Sequence, residues 1–229
     1  MKILIVSTYD LSGGASLAAF RLHEALLTKG VNSQMLVEKK TSNLESVITV
    51  DKNSLEKKIG IFTRLWRKII NTLPLFRYHK TRIRTFGAFS TQKASNCKVV
   101  KKINKLNPDI VHLNWICKGF LSIKDISRIK PPIVWNFHDM WAITGGCHCV
   151  YGKLYDESIN CEEYMRNCGK CGILGSNKYK DLSYYIIQKK KKTYSKVKDM
   201  IIVGLSRWIT DCAKKSAVFS NILFPLSET

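Results

Sequence analysis

Four cysteines and three short motifs hold most of the chemistry that this sequence offers. Cys147, Cys161, Cys168 and Cys171 are spaced C-x13-C-x6-C-x2-C, and the last pair sits in Asn167-Cys-Gly-Lys-Cys-Gly172. Four thiolates in such a series can hold zinc tetrahedrally and staple a long loop that has little apolar content of its own. A closed sphere of that kind is structural and not catalytic. His148 and Cys149 are spare ligands. Free thiols and disulfides are the two other readings of the same residues. Cys97, Cys117 and Cys212 stand apart on helix or strand segments and are expected to pack in the core.

His138-Asp139 ends the apolar run Ile133-Val-Trp-Asn-Phe137. A histidine at a strand end, followed by an acid, can hydrogen-bond a sugar hydroxyl or shuttle a proton. The same pair also reads as a satisfied core histidine with Asp139 capping the next turn. His112, in Asp109-Ile-Val-His-Leu113, has the same two readings. Gly13-Gly14 is either a plain turn or a place where backbone approaches a ligand, with the following helix N-terminus offering N–H groups to phosphate. There is no G-x-G-x-x-G and no P-loop Lys-Ser/Thr, so nicotinamide and ATP chemistry lose their usual support. Spacing alone assigns no Ser-His-Asp or Cys-His constellation, because tertiary proximity is not visible in it.

The elements that must position these residues follow from hydrophobic pattern. Lys2-Ile-Leu-Ile-Val6 is a continuous apolar run of the kind buried on both faces of a parallel sheet. A Gly turn, a helix over 17–28 closed by Lys29-Gly30, and a strand over 33–37 come next. Further on, a helix over 99–106, strands over 109–113 and 133–137 with a short helix over 123–129 between them, a strand over 200–203, and a helix over 207–215 capped by Ser206 repeat this grammar. The prediction is an α/β, Rossmann-like, doubly wound and mainly parallel sheet in one domain. Two insertions break the rhythm: a basic helical segment over 55–92 and the cysteine-rich loop over 145–175. In the first, Ile59, Phe62, Leu65, Trp66, Ile69, Ile70 and Leu73 recur at helical spacing opposite Lys57, Lys58, Arg64, Arg67 and Lys68.

With 229 residues, 45% hydrophobic and 24% charged, the chain has the composition of a soluble globular protein. No stretch reads as a secretory signal or a membrane span, so a cytoplasmic location is expected. Thirty-eight Lys and Arg against 17 Asp and Glu give a formal net charge of +21. Such an excess implies a polyanionic partner: nucleic acid, an anionic membrane or a phosphate-bearing substrate.

Taken together, the chain resembles the family 4 glycosyltransferases of GT-B fold, in particular a cysteine-containing branch of capsule and exopolysaccharide assembly. The resemblance rests on Met1-Lys-Ile-Leu-Ile-Val-Ser7, Gly13-Gly-Ala15, Pro108-Asp-Ile-Val-His-Leu-Asn-Trp115, Ile133 to Trp141 with Thr144-Gly-Gly-Cys147, Cys168-Gly-Lys-Cys171, and Ser206-Arg-Trp208 with Asp211-Cys-Ala213. It implies two facing Rossmann-like domains, of which this chain is the N-terminal, acceptor-side one. It also implies metal-independent, retaining transfer from a nucleoside diphosphate sugar to a glycan or polyprenyl-linked acceptor. Gly13 and Gly14 would then lie near the donor diphosphate or the acceptor, and His138 would hydrogen-bond the transferred sugar. Asp139, His112 and Arg207 are further site candidates. The basic segment over 55–73 would lie on the anionic cytoplasmic face of a membrane, or instead pack on the sheet edge. In that family a C-terminal domain supplies the basic pair for the leaving diphosphate and a Glu-x7-Glu motif. No Glu pair of that spacing occurs here and the chain closes at Phe224-Pro-Leu-Ser-Glu-Thr229, so the chain alone is expected to be inactive or nearly so.

Two other classes of function compete. One is a non-catalytic glycan- or membrane-binding module. The other is nucleic-acid binding through Lys189-Lys-Lys-Lys192, placed last because that run reads as the solvated face of a helix over 182–198 and no nucleic-acid module accompanies it.

Overall fold

The computed structural model describes residues 1–50, 54–81, 88–154 and 157–219; for 54–60, 79–81, 151–154 and 157–160 only the backbone is described. Six strands form one parallel sheet: β1 (Lys2–Tyr9), β2 (Asn32–Lys39), β3 (Val47–Thr49), β4 (Ile110–Leu113), β5 (Ile133–Phe137) and, last in the sheet, a strand over Met200–Gly204. A hairpin of β6 (Tyr151–Leu154) and β7 (Glu157–Asn160) precedes that last strand, which is therefore β8. The order across the sheet is β3-β2-β1-β4-β5-β8. The chain winds outward one way from β1 and then the other way from β4, which is the doubly wound pattern expected from the sequence.

β1 shows why a run of apolar residues is needed at the centre. Leu4, Ile5 and Val6 are fully buried, and the register Ile3↔Ile110 to Val6↔Leu113 pairs β1 with β4 while β2 lies on its other side. Ile3 and Ile5 pack with Met35 and Val37 beneath Ala19 of helix α1 (Gly14–Thr28), whereas Leu4 and Val6 join the larger core on the opposite face. Alternate residues of one strand thus feed two cores.

Helix α2 (Ser54–Thr72) continues into a 3-10 segment over Leu73–Thr81, with a break at Tyr78. Helix α3 spans Cys97–Leu106 and ends at Asn107 in the left-handed region. The short α4 (Ile123–Ile126) starts with a capping box in which Ser122 and Asp125 satisfy each other's backbone N–H. α5 spans Leu182–Tyr194, capped by Asp181, and α6 spans Arg207–Lys215, capped by Ser206 as predicted.

Three expectations are corrected. Cys97 opens α3 and is exposed, whereas Cys117 and Cys212 are buried. The cysteine-rich loop has apolar anchors of its own, since Val150, Tyr164, Ile173 and Leu174 are buried in the main core. And Lys190 does not lie on a solvated face: α5 buries Ile186, Ile187, Lys190, Thr193 and Tyr194, positions that recur at i, i+1, i+4, i+7 and i+8. Nζ of Lys190 donates to the carbonyls of Trp141 and, at 3.0 Å, Thr144, and lies 3.8 Å from the Trp141 ring centroid. Burial pushes this amine down to about 7.

α2 is turned opposite to an ordinary surface helix. Arg67 donates to Glu38 Oε1 at 2.6 Å and to the Gly119 carbonyl at 3.0 Å, and Arg64 stands 3.3 Å from the same Glu38 oxygen. Phe62 is 70% exposed and Trp66 57%, with Ile61, Leu65 and Ile69 beside them and Leu73 and Phe76 following. The side chains of Lys57, Lys58 and Ile59, residue Arg84, and Phe224 to Thr229 lie outside the described residues.

Candidate functional site

In a doubly wound sheet the crevice opens where the winding direction changes, outside the carboxyl ends of β1 and β4. A cavity of about 320 Å³ lies there, lined by Tyr9, Gly13, Gly14, Trp115, His138 and Asp139 among others. The structure therefore brings together four residues that sequence reasoning had singled out separately. Gly13 is the N-cap of α1 at φ 88°, with no side-chain cap and no acid in the first turn. A Cβ added at Gly13 or Gly14 would meet nothing within 4 Å, so the amide end of α1 faces open space suited to an anion.

His138 ends β5 and is held from behind. Its Nε2 stands 3.0 Å from Asn114 Oδ1, while Asn114 Nδ2 stands 3.1 Å from His112 Nδ1. With the Asn114 amide nitrogen turned to His112 and its oxygen to His138, that oxygen accepts the Nε2–H of His138, which leaves the lone pair of the neutral ring on Nδ1. Burial pushes His138 down, and burial together with nearby His138 pushes His112 down to about 4, so both rings are neutral at pH 7. His112 lies within β4, paired with Ile5, and is not among the residues that line the cavity. Arg207 is exposed at the start of α6 and is not among the cavity-lining residues described.

Asp139 is a hub. Its Oδ2 accepts from Trp115 Nε1 at 2.9 Å and from His148 Nδ1 at 2.7 Å, and its Oδ1 accepts from the Trp141 N–H at 2.8 Å. Burial would raise this carboxyl, but the His148 hydrogen bond and charge, the Trp141 N–H and the Trp115 indole outweigh it and hold it low. His148 Nε2 in turn meets Ser90 Oγ at 2.7 Å. Ser90 lines a second cavity of about 640 Å³ beside α2, which shares Tyr9 and Lys118 with the first. Tyr9 and Trp115 stack at 6.4 Å, and Lys118 Nζ lies 5.4 and 5.7 Å from their centroids. Two apolar ring faces beside an amine make a floor that suits a sugar carrying phosphate.

Sequence reasoning missed Ser90 and Lys118, marked Asn114 only as part of the span His112 to Trp115 at a strand end, and saw His148 only as a spare metal ligand. Asn114 and Lys118 had one local signal, their place just past a buried strand. Ser90 had none, because 58 residues separate it from His148.

Acid should loosen the frame of this site. Burial pulls the Asp10 carboxyl up, yet the N–H groups of Ser42, Thr41 and Leu11 outweigh it and hold it below its ordinary value. Asp10 and Asp139 both have lowered folded values, so their contribution is complete above the ordinary carboxylate value of about 3.9 and is lost as pH falls through the folded values. The buried, neutral His112 and His138 add a shallower slope, because their lowered folded values leave the unfolded chain binding more protons below about 6.5. The thermal midpoint is expected to fall gradually from about pH 6.5 and steeply below about 4. Asp10→Asn should flatten part of that acid limb in a calorimetric pH series.

The chain is 24% identical over 239 residues to the Escherichia coli (strain K12) protein named "Putative colanic acid biosynthesis glycosyl transferase WcaC", a match that takes in 98% of this chain and 52% of that protein. This chain is similar to a glycosyl transferase. It spans about half the length of the curated relative that it matches. No protein-family model matches the chain, and no solved structure matches it.

Proposed function

We propose that this domain is the acceptor-side half of a retaining glycosyltransferase of family 4 and GT-B type, acting in surface polysaccharide assembly. The observation that carries the reading is the single cavity at the switch point, where the amide end of α1, the neutral ring of His138 and the Tyr9–Trp115 stack converge. The similarity to a protein named for colanic acid biosynthesis supports the same direction.

In this reading the diphosphate of a nucleoside diphosphate sugar lies against the N-terminus of α1, and His138 Nδ1 accepts a hydrogen bond from a hydroxyl of the transferred sugar. The acceptor hydroxyl attacks the anomeric carbon on the face the diphosphate leaves, and its proton passes to the departing phosphate. Asp139 is spent on three protein donors, so it positions Trp115 and His148 and does not carry the proton itself. A second, facing domain supplies the charges that stabilise the leaving group, a large share of such catalysis. Calorimetry tests the division of labour: the domain should bind a polyprenyl diphosphate-linked glycan and leave nucleoside diphosphate sugars unbound. Tight donor binding by the domain alone would overturn it, and acceptor binding that never supports transfer with any facing domain would leave a glycan-binding module.

The acceptor is lipid-linked in this reading because of α2. Its apolar face points outward, next to the larger cavity, on a chain of net charge +21. We assign that face to an anionic bilayer. Phe62→Ser together with Trp66→Ser is expected to weaken binding to phosphatidylglycerol-containing vesicles by about 100-fold in sedimentation assays, the value of two partly buried aromatic side chains. Unchanged binding would send the acceptor reading back to soluble glycans.

A second reading rests on the Ser90–His148–Asp139 chain, whose hydrogen-bond sequence is that of an activated nucleophile for acyl transfer. It requires Ser90 to be labelled by a fluorophosphonate probe; the sugar-transfer reading requires that it is not.

A further inference from the structure

The cysteine-rich loop is not used by the cavity chemistry, and its sulfurs are arranged for something else. Cys147 and Cys171 are distant in sequence, yet their Sγ atoms stand 3.7 Å apart. A disulfide needs about 2.05 Å. Two sulfurs each about 2.3 Å from a tetrahedral zinc stand about 3.8 Å apart. None of Cys147, Cys161, Cys168 and Cys171 is in a disulfide.

A backbone donor is aimed at a third sulfur: the Gly145 N–H donates to Cys168 Sγ at 3.2 Å. Such a donor orients the sulfur, as the outer shell of a metal site does. The C-x2-C turn is strained: Cys168 and Lys170 have φ of 52° and 45°, a conformation that persists in non-glycine residues only where the surroundings over-determine it.

We infer that Cys147, Cys161, Cys168 and Cys171 close on one zinc ion as a tetrathiolate site. Among the described residues no three His, Cys, Asp or Glu side chains already stand as a complete metal group. Binding therefore draws Cys161 and Cys168 in towards the Cys147–Cys171 pair, and the four thiol protons pass to solvent. His148 is not a ligand, because both of its ring nitrogens are engaged by Asp139 and Ser90. The site fixes the chain on both sides of His148 and so holds Asp139 in place.

The test is metal analysis of the chain purified without chelator, alongside cobalt substitution. About one zinc per chain is expected, surviving gel filtration, with cobalt giving the sulfur-to-metal charge-transfer and intense visible bands of tetrahedral thiolate ligation. Cys168→Ser should reduce bound metal to near none, while Cys212→Ser, buried but elsewhere, should keep it. If Cys168→Ser does not fold, thiol titration of the native wild-type chain decides: Cys147, Cys161, Cys168 and Cys171 should react only after a chelator is added, whereas exposed Cys97 and Cys149 react at once. Well under one zinc per chain with no cobalt bands, immediate reaction of all four thiols, or a native Cys147–Cys171 disulfide would each overturn the site.

Discussion

His138→Ala should lower kcat/KM by about 100-fold, roughly 2.7 kcal/mol of transition-state stabilisation, in the sugar transfer proposed above, assayed with a facing donor-binding domain. The size follows from the geometry. The ring is neutral, its Nε2–H is committed to Asn114, and Nδ1 remains as an acceptor of fixed direction. Alanine removes that acceptor and leaves the buried Asn114 oxygen without its donor. Asn114→Leu should therefore reproduce much of the loss without touching the sugar, because it frees the ring to turn. Protein folding should be intact in both variants by circular dichroism. A wild-type rate for His138→Ala would remove the histidine from the reaction and leave it as the satisfied core residue that the sequence also allowed.

Gly169→Ala should cost about 2–5 kcal/mol of stability in chemical denaturation, a sizeable part of the 5–15 kcal/mol typical of a domain. Gly169 sits at φ 108°, and an added Cβ would fall 2.0 Å from the Tyr179 carbonyl oxygen. That oxygen is backbone and cannot swing aside, so the turn between Cys168 and Cys171 has to move. The strain of a left-handed alanine and the displaced loop add to one another. A loss under 1 kcal/mol would mean that the loop shifts freely and is not the rigid staple described above.

How much of this was legible beforehand depended on whether the signal was local. β1 was readable because burial on both faces demands an unbroken apolar run, and the Ser206 cap because a side-chain oxygen three residues from its N–H partner is a local device. Gly13-Gly14 and His138 were marked as ligand-facing by their place after strands, and the winding reversal then put them in one cavity. Lys190 was misread because four consecutive lysines look uniformly solvated. The phase of Ile186, Ile187 and Tyr194 puts the second of them on the buried stripe, and that phase was there to be counted. Ser90, His148 and Asp139 meet through three separate loops, and no periodicity encodes such a meeting. The amphipathic pattern of α2 was plain, but pattern alone does not say which side faces the sheet. The ion pairs with Glu38 decide it.

The inward turn of the arginines on α2 fixes more than an attachment point. With Arg64 and Arg67 engaged by Glu38, the helix has one direction in which to sink Phe62 and Trp66, so on the bilayer proposed for it the domain would take one orientation and the mouth beside Ser90 one height. Height then acts as a ruler. In the reading proposed above, a glycan growing from a lipid would bring successive hydroxyls to that level as it lengthens, and transfer would fall at the position where chain length and standing height coincide.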